Sequence, residues 1–366
     1  MYPSKRLRHL SMAALAGTLT LTLTASAQKA QSFDGQTRQT AQLTATLERE
    51  VHADLNFLAD DELRGRGSAT RDEHIAALFV AAQFQSIGLK PGGENGTFLQ
   101  KAALPDPLPA TVQQRLSRFQ DVPRKETWNA IGILRGSAQP NEVVLLTAHL
   151  DHLGMGPANA SGDTIYNGAD DDASGTTAVL VLAHILATGV RPKRTIVFAC
   201  FGSEELGGFG NRAFLAHPPV PLNSIVANLE FEMIGRPDPA VPAGTLWLTG
   251  FDHSNLGPEL ARHGAHLVND PHPTQHFFQR SDNYALALQG IVAQSVSSFG
   301  LHKDYHQPSD ELSKIDFAHM TKAIASMVNP IRWLANSTWK PKWNPGGKPD
   351  PNAPRPGPPS SQPQSN

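Results

Sequence analysis

The chain is poor in the residues and motifs that mark several common protein classes. Its 366 residues include a single cysteine, Cys200, which excludes an intrachain disulfide framework. Charged residues make up 17% of the chain, and basic residues do not interleave with aromatic ones, so no nucleic-acid partner is expected. His-Glu-x-x-His, Gly-x-Ser-x-Gly and phosphate-loop motifs are also absent. What remains is a globular composition with 40% hydrophobic residues.

The two ends of the chain differ in composition from its middle. Residues 1–27 predict a secretory signal peptide, because a basic start precedes an apolar stretch and the small residues Ala25-Ser26-Ala27. An uncleaved anchor is the alternative, but the apolar stretch falls short of the roughly 20 residues that span a bilayer. The proline-rich residues 340–366 predict a disordered tail. We therefore expect a secreted or periplasmic protein, without stable membrane insertion after signal cleavage, and one catalytic domain over residues 28–339.

The middle of the chain alternates between helical and strand-like hydrophobic patterns. Apolar spacing predicts an N-terminal helix near residues 40–60 and a second helix that begins at a capping box of Thr70 and Glu73. Strands are predicted at Val143–Thr147, Thr195–Phe201, Ile225–Phe231, Thr245–Thr249 and Ile291–Val296. Helices are predicted at Ala173–Ala187, Asn211–Ala216, Asn255–His263, Asp282–Leu288 and Phe317–Leu334. This alternation is typical of an α/β fold with a mostly parallel central sheet and helices on both faces.

Acidic residues and histidines follow the predicted strands where those strands end. They occur in the segments 149–152, 167–172, 203–205, 230–232 and 303–310. Ligands bind beyond the carboxyl ends of the strands in such sheets, and a bound cation is the simplest way to hold so many carboxylates together. Nitrogen and oxygen donors without thiolate suit zinc best, with manganese or cobalt as alternatives. Each residue alone is compatible with a solvated loop or a helix cap, whereas together they predict a metal centre.

Seven short motifs in this region are similar to those of a known family. They are Ala148-His149-Leu150-Asp151, Gly168-Ala169-Asp170-Asp171-Asp172-Ala173-Ser174-Gly175, Lys193-Arg194-Thr195-Ile196, Glu204-Glu205-Leu206-Gly207, Glu232-Met233-Ile234-Gly235, Arg280-Ser281-Asp282 and Tyr305-His306. The set resembles the co-catalytic di-zinc aminopeptidases, the group of bacterial leucyl aminopeptidase and aminopeptidase S. Glutamate carboxypeptidase and glutaminyl cyclase are more distant relatives. The resemblance implies the zinc-exopeptidase (phosphorylase/hydrolase-like) fold and two Zn²⁺ ions per chain.

The resemblance also implies which residues hold the metal. Asp171 corresponds to the carboxylate that bridges both zinc ions. His149 and Glu232 would complete the first site, and Glu205 and His306 would complete the second.

The catalytic roles follow from the same resemblance. Glu204 corresponds to the general base, and Asp151 to the acid that orients His149 through its other ring nitrogen. Tyr305 corresponds to a donor to the oxyanion, and Arg280 to a residue that contacts the substrate. The peptide bond that follows Asp171 is expected to be cis.

Two departures from the family pattern leave questions open. Relatives carry aspartate where this chain has Glu232, and Glu230 lies on the same side of the predicted strand, so either glutamate could reach the metal. Asn283 stands where many relatives have histidine, which leaves the shape of the specificity pocket undetermined.

The function that this pattern predicts is a secreted zinc exopeptidase acting on peptides, with an aminopeptidase as the first choice. Carboxypeptidase and dipeptidase activities stay open, because the sequence does not place the loops that surround the pocket. The alternatives are an acyltransferase similar to glutaminyl cyclase and a binding ectodomain that has lost catalysis. The complete set of candidate ligands argues against both.

Overall fold

A nine-stranded sheet lies at the centre of the computed structural model, which describes residues 46–119 and 125–352. Its strands are β1 Lys90–Pro91, β2 Leu99–Ala103, β3 Glu126–Leu134, β4 Gln139–His149, β7 Arg194–Phe201, β8 Ile225–Phe231, β9 Leu246–Leu248, β10 Leu267–Asn269 and β11 Ala293–Ser297. A separate two-stranded ribbon pairs β5 Gly154–Met155 with β6 Ile165–Tyr166. The order in the sheet is β1-β3-β7-β4-β8-β11-β9-β10, with β2 beside β3. Strands β7, β4, β8 and β11 run parallel at its centre.

Helices cover both faces of this sheet. They are α1 over residues 46–58, α2 Arg71–Ser86, α3 Ala110–Leu116, α4 Gly175–Thr188, α5 Phe209–Ala216, α6 Leu256–Arg262, α7 Asn283–Leu288 and α8 Phe317–Asn336. Helices α2, α4 and α8 pack on one face, and α5 and α7 pack on the opposite face. The predicted α/β class is confirmed, and so are the five predicted strands, with shifts of a few residues at their ends.

The parallel centre of the sheet follows from its sequence. Every residue of β7 is buried, and so is the second half of β4, as expected for strands covered on both faces. Side chains alternate between the faces, since Val143 and Leu145 pack in one core cluster with Phe214 of α5 and Leu286 of α7. These strands bring their carboxyl ends, and the polar residues beyond them, to one edge.

An antiparallel flank of the sheet was not predicted. Strands β1 and β2 pair with β3, which in turn pairs antiparallel with β7. The pattern of β3 is hidden because two of its buried positions are the polar Thr127 and Asn129. Gly132 interrupts it further, since a Cβ there would lie 2.6 Å from the side chain of Leu89.

The capping box that begins α2 forms only in part. Thr70 accepts hydrogen bonds from the backbone N–H groups of Asp72 and Glu73, as predicted. The buried carboxylate of Glu73 accepts instead from the N–H of Ala69 and from both the hydroxyl of Thr127 and the N–H of Trp128. It also accepts from the N–H and hydroxyl of Ser203, directly before Glu204 and Glu205. Glu73 thus joins α2, β3 and the loop that follows β7.

We expect Glu73→Ala to lower the free energy of unfolding by about 3 kcal/mol or more, because it leaves several buried donors without an acceptor. Urea denaturation of the two proteins measures this difference. The matched control is Glu94→Ala, since Glu94 is exposed and should change stability by less than about 0.5 kcal/mol. Equal effects of the two substitutions would contradict the role of Glu73.

The predicted disordered tail is wrong for residues 340–352, which pack against the domain. The indole of Trp343 adjoins a core cluster and donates to the carbonyl of Gly290 at 3.1 Å. Lys340 pairs with Glu142 at 2.7 Å. The prolines prevent a regular helix or strand here. Residues 340–352 nevertheless form an ordered segment, here called the strap, because the side chain of Trp343 anchors it to the domain. Residues 353–366, and the predicted signal peptide 1–27, lie outside the described residues.

The predicted N-terminal helix is present as α1 over residues 46–58, and residues 40–45 lie outside the described part of the chain. None of the helices in the described ranges combines the length and the apolar character needed to cross a membrane.

Candidate metal centre

The predicted ligands meet at the carboxyl ends of the parallel strands. His149 is the last residue of β4, Glu205 lies in the loop after β7, and Glu232 directly follows β8. Asp171 lies in an irregular turn, Ala169–Ser174, before α4, and His306 is supplied by the segment between β11 and α8. Residues far apart in sequence are therefore brought to one cluster by the sheet topology that the strand pattern predicted.

Asp171 lies at the middle of the cluster, with its two oxygens turned to different partners. Its Oδ1 is 3.1 Å from Nε2 of His149, and its Oδ2 is 3.1 Å from Nε2 of His306. Burial opposes its ionisation, but the imidazoles of His152, His149 and His306 outweigh this and hold the pKa of the carboxyl well below its usual range. Asp171 is therefore a carboxylate available to two ligand groups.

Each group contains one further carboxylate. Oε1 of Glu232 lies 3.6 Å from Nε2 of His149, and Oε1 of Glu205 lies 3.1 Å from Nε2 of His306. In the described part of the chain, no lysine or arginine forms an ion pair with these acids.

The donor atoms fit zinc. Spacings of 3.1 to 3.6 Å between them suit an ion bound at roughly 2.0–2.2 Å by nitrogen and oxygen ligands. Within the described ranges, the buried Nε2 of His149 and Oδ2 of Asp171 have no hydrogen-bond partner. Such orphaned atoms are costly unless an ion occupies the space between them.

The two glutamates between which the sequence left the choice open differ in their contacts. Glu230 is fully buried, and its carboxylate accepts from the hydroxyl of Ser295 at 2.7 Å and from the N–H of Asn283 at 2.8 Å. Burial and the neighbouring Glu232 raise the pKa of Glu230 to about 7. Ser281 donates to both glutamates. The carboxylate of Glu230 is thus held by hydrogen bonds from its neighbours. Of the two glutamates, Glu232 is the one with a carboxylate oxygen within 4 Å of His149.

The acids on either side of Asp171 shape the turn. Asp172 accepts hydrogen bonds from the N–H groups of His149, Gly175 and Met233, so its oxygens are already used although they lie near the first ligand group. The bond between Asp171 and Asp172 is cis, as the resemblance implies. Asp310 was not singled out by sequence reasoning. Its carboxylate accepts hydrogen bonds from the backbone N–H groups of Asp170 and Asp171.

Asp151 lies beside His149, and its carboxylate also accepts hydrogen bonds from other residues. Nδ1 of His149 is 3.1 Å from the backbone carbonyl of Asp151 and 3.7 Å from its carboxylate. The carboxylate accepts from the backbone N–H groups of Glu204 at 3.0 Å and Glu205 at 3.3 Å, and from the hydroxyl of Ser68. One residue therefore fixes both the histidine ring and the loop that carries the two glutamates.

Glu204 lines a cavity of about 500 Å³ of empty volume beside the cluster. Burial raises its pKa well above the usual value, and the carboxylates of Glu205 and Asp282 add to this against the effect of His149. Within the described ranges, Glu204 forms no ion pair with a histidine, in contrast to Glu205.

Tyr305 and Arg280 lie together on the wall of the same cavity. Nη2 of Arg280 is 3.4 Å from the hydroxyl of Tyr305, and the guanidinium lies 4.8 Å from the ring centre of Phe277. Nη1 of Arg280 has no hydrogen-bond partner among the residues that the structure describes. Both side chains are therefore near the cluster with polar groups free for a ligand.

Two residues at the site were missed by sequence reasoning. His152 is fully buried, with Nδ1 3.1 Å from Oε1 of Glu205 and 3.8 Å from Oδ2 of Asp171, so it adjoins the second ligand group. Its position three residues after His149 was the available signal. Arg66 is also fully buried and donates to the backbone carbonyls of residues 150, 167 and 168. These hydrogen bonds link the segment after β4 to the segment that leads into the turn at Asp171. Burial lowers the pKa of Arg66 to about 10, and nothing in its local sequence distinguishes it.

The chain has relatives among curated peptidases. An aminopeptidase of Pseudomonas aeruginosa (strain UCBPP-PA14) is 36% identical over 131 residues, which cover 35% of this chain and 22% of that protein. A probable zinc metalloprotease of Pyrenophora teres f. teres is 29% identical over 148 residues, which cover 39% of this chain and 27% of that protein. The matched part of the chain thus spans less than a third of the length of these relatives.

Solved structures and a family model match larger parts of the chain. The zinc aminopeptidase BSAP from Bacillus subtilis has a TM-score of 0.60 at 15% identity, covering 79% of this chain and 95% of that one. An aminopeptidase from Aneurinibacillus sp. strain AM-1 has a TM-score of 0.58 at 16% identity, covering 79% and 94%. These likenesses confirm the fold. The model of peptidase family M28 matches residues 129–329, more than half of the chain. The resemblance seen in the motifs is thereby confirmed, and the chain belongs to peptidase family M28.

Proposed function

We propose that this protein is a secreted or periplasmic aminopeptidase that hydrolyses peptides at a two-zinc centre. The observation that carries the proposal is the position of Asp171, whose two oxygens face two separate groups of candidate ligands. A carboxylate in this position serves two metal ions at once, and paired metal ions are a common device for hydrolysis. The family, and relatives described as aminopeptidases and zinc metalloproteases, support the same activity.

The side chains divide into two zinc sites that share one ligand. His149, Asp171 and Glu232 would hold one ion, and Asp171, Glu205 and His306 the other. Bound there, the two ions would lower the pKa of a shared water and polarise the scissile carbonyl. His152 adjoins the second site and limits the space around it.

Glu204 is the group placed to move the proton. It accepts a proton from the attacking water and returns it to the leaving amine, so both transfers need one carboxyl near the scissile bond. The hydrogen bond from its backbone N–H to Asp151 fixes its position. Its raised pKa suits a carboxyl that must both take up and release a proton.

Tyr305 and Arg280 are placed to bind the substrate oxygen. The hydroxyl of Tyr305 would donate to the carbonyl oxygen as negative charge develops on it. Arg280 lies against this hydroxyl and has an unpartnered Nη1 for a second contact. Together they would stabilise the oxyanion by hydrogen bonding.

The lining of the cavity indicates which substrate side chains it can hold. Four carboxylates line it, and three of them, Asp171, Glu205 and Glu232, are candidate zinc ligands whose charge two bound Zn²⁺ ions would offset. Trp247, Phe277 and Phe299 form apolar walls beside them. A substrate with an apolar side chain against the aromatic rings fits this lining.

The test uses the full chain expressed with its leader in a bacterial host. We expect the exported protein to begin at Gln28 by mass spectrometry and to hydrolyse leucyl-arylamide. Removal of metal by a chelator should abolish turnover, and added Zn²⁺ should restore it, because the hydrolytic water needs the ions. Bound zinc without turnover of free-amine substrates would direct the search to carboxypeptidase, dipeptide or cyclase substrates. No zinc after reconstitution would contradict the proposal and leave a binding ectodomain.

A further inference from the structure

His306 also lines a second cavity, distinct from the acidic one. This cavity has an empty volume of about 1100 Å³. Its walls include Gln114 and Arg115 of α3, Arg118 two residues after this helix, and Leu153, Tyr166 and His306. Because His306 is a candidate zinc ligand, the second cavity adjoins the proposed metal centre through this residue.

Helix α3 is held at this position by its apolar side. Val112 and Leu116 of α3, with Leu108 before it, pack against Leu206 and Phe209 in the segment that follows Glu205. The guanidinium of Arg115 donates to the backbone carbonyl of Glu205 itself. The helix is therefore docked on the loop that carries one of the candidate ligands.

The opposite side of α3 is polar and basic. Thr111, Gln114, Arg115 and Arg118 recur at helical spacing and face the second cavity. Within residues 46–119 and 125–352, no carboxylate lies at ion-pair distance from Arg115 or Arg118. The two cavities approach each other at Tyr305, which lines the acidic cavity, and His306, which lines the basic one, since these two rings stack at 3.9 Å.

We propose that the second cavity binds a carboxylate on the leaving-group side of the peptide, which makes short peptides with a negative charge after the scissile bond the preferred substrates. Arg118 would attract the carboxylate of such a substrate and orient the peptide with its leaving group in the second cavity. A free C-terminus and an acidic side chain offer the same chemistry. This inference rests on the proposed aminopeptidase activity. It concerns an element of this chain that lies outside the family match, since α3 precedes residue 129.

The experiment compares three substrates on the zinc-loaded full chain. They are Leu-Ala, Leu-Ala-amide and Leu-Asp-amide, which carry a C-terminal carboxylate, no carboxylate and a side-chain carboxylate. We expect kcat/KM to be about two- to fivefold higher for Leu-Ala than for its amide, the upper part of the range for one solvent-accessible ion pair. The ratio should fall as salt is added, because ions screen an exposed pair. A similar advantage of Leu-Asp-amide would show that the cavity also accepts a side chain.

Variants of Arg118 test whether the charge of this residue, rather than a general loss of activity, determines the ratio. Arg118→Gln should bring the ratio of the acid to the amide close to one, whereas Arg118→Lys should keep most of it. The matched control is Arg262→Gln, which removes an exposed positive charge on α6 and should leave the ratio unchanged. Hydrolysis of all three peptides at equal rates by the unmodified chain would overturn the inference and leave the aminopeptidase proposal standing. Hydrolysis of none would overturn both.

Discussion

Glu204→Gln should lower the turnover of leucyl-arylamide by about 10²- to 10⁴-fold, the range for loss of a general acid–base group. The amide has the shape of the carboxyl group but can neither accept the proton of the attacking water nor deliver it to the leaving amine. Zinc binding should persist, because the candidate ligands are other residues and Glu204 forms no ion pair with the histidines that the structure describes. Kinetics together with elemental analysis of bound zinc measure both effects.

The control for this variant is Glu94→Gln, which makes the same chemical change at an exposed position of the chain. It should keep turnover within about twofold of the unmodified protein, as surface substitutions change little. Turnover of Glu204→Gln within tenfold of the unmodified protein would show that another group moves the proton. A variant that loses its zinc would instead place Glu204 among the ligands.

Asp171→Asn should remove the common ligand of the two sites and reduce bound zinc from two ions to at most one. An amide offers one neutral oxygen where the carboxylate offers two charged ones, so it cannot serve His149 and His306 at the same time. Turnover should fall by at least about 10³-fold, since both the shared water and the polarised carbonyl depend on the pair of ions. Competition with a coloured zinc chelator measures the affinity and number of the remaining sites.

The comparison variant is Asp252→Asn, an exposed aspartate whose substitution should change neither zinc content nor turnover. If Asp171→Asn kept two zinc ions, the shared-ligand assignment would be wrong. Near-UV circular dichroism of both variants checks that the fold persists, because the cluster is buried and a general collapse would also release the metal.

The central strands and their ends could be predicted because the information lies within each segment. β4, β7 and β8 each contain a mostly apolar, buried run, and His149, Glu205 and Glu232 lie at or just beyond the carboxyl ends of these strands. Parallel packing alone brings such strand ends together. The family motifs then singled out Asp171 as the candidate ligand, since composition alone does not distinguish it from Asp170 and Asp172.

The remaining features depend on contacts between distant residues. β3 is buried in spite of Thr127 and Asn129 because Glu73 and Gln100 satisfy them, which no local pattern indicates. Trp343 orders the strap after α8 through Gly290, and the local proline content suggested the opposite. Arg66 has no recognisable motif, and its role is visible only from the four backbone carbonyl groups to which it donates.

The choice between Glu230 and Glu232 as candidate ligand also could not be predicted from the local sequence. Strand alternation places both on one side, so the sequence cannot separate them. Their contacts differ, because the hydroxyl of Ser295 and the backbone N–H of Asn283 both donate to Oε2 of Glu230. The side-chain amide of Asn283, unusual against the family pattern, donates instead to the carbonyl of Phe278.

The central claim is that this chain holds two zinc ions around one shared aspartate. The most direct measurement is the number of zinc ions per chain by elemental analysis, after loading with Zn²⁺ and removal of the free ion by gel filtration. Two ions per chain in the unmodified protein, and at most one in Asp171→Asn, is the predicted result. One ion or none in the unmodified protein would contradict the claim.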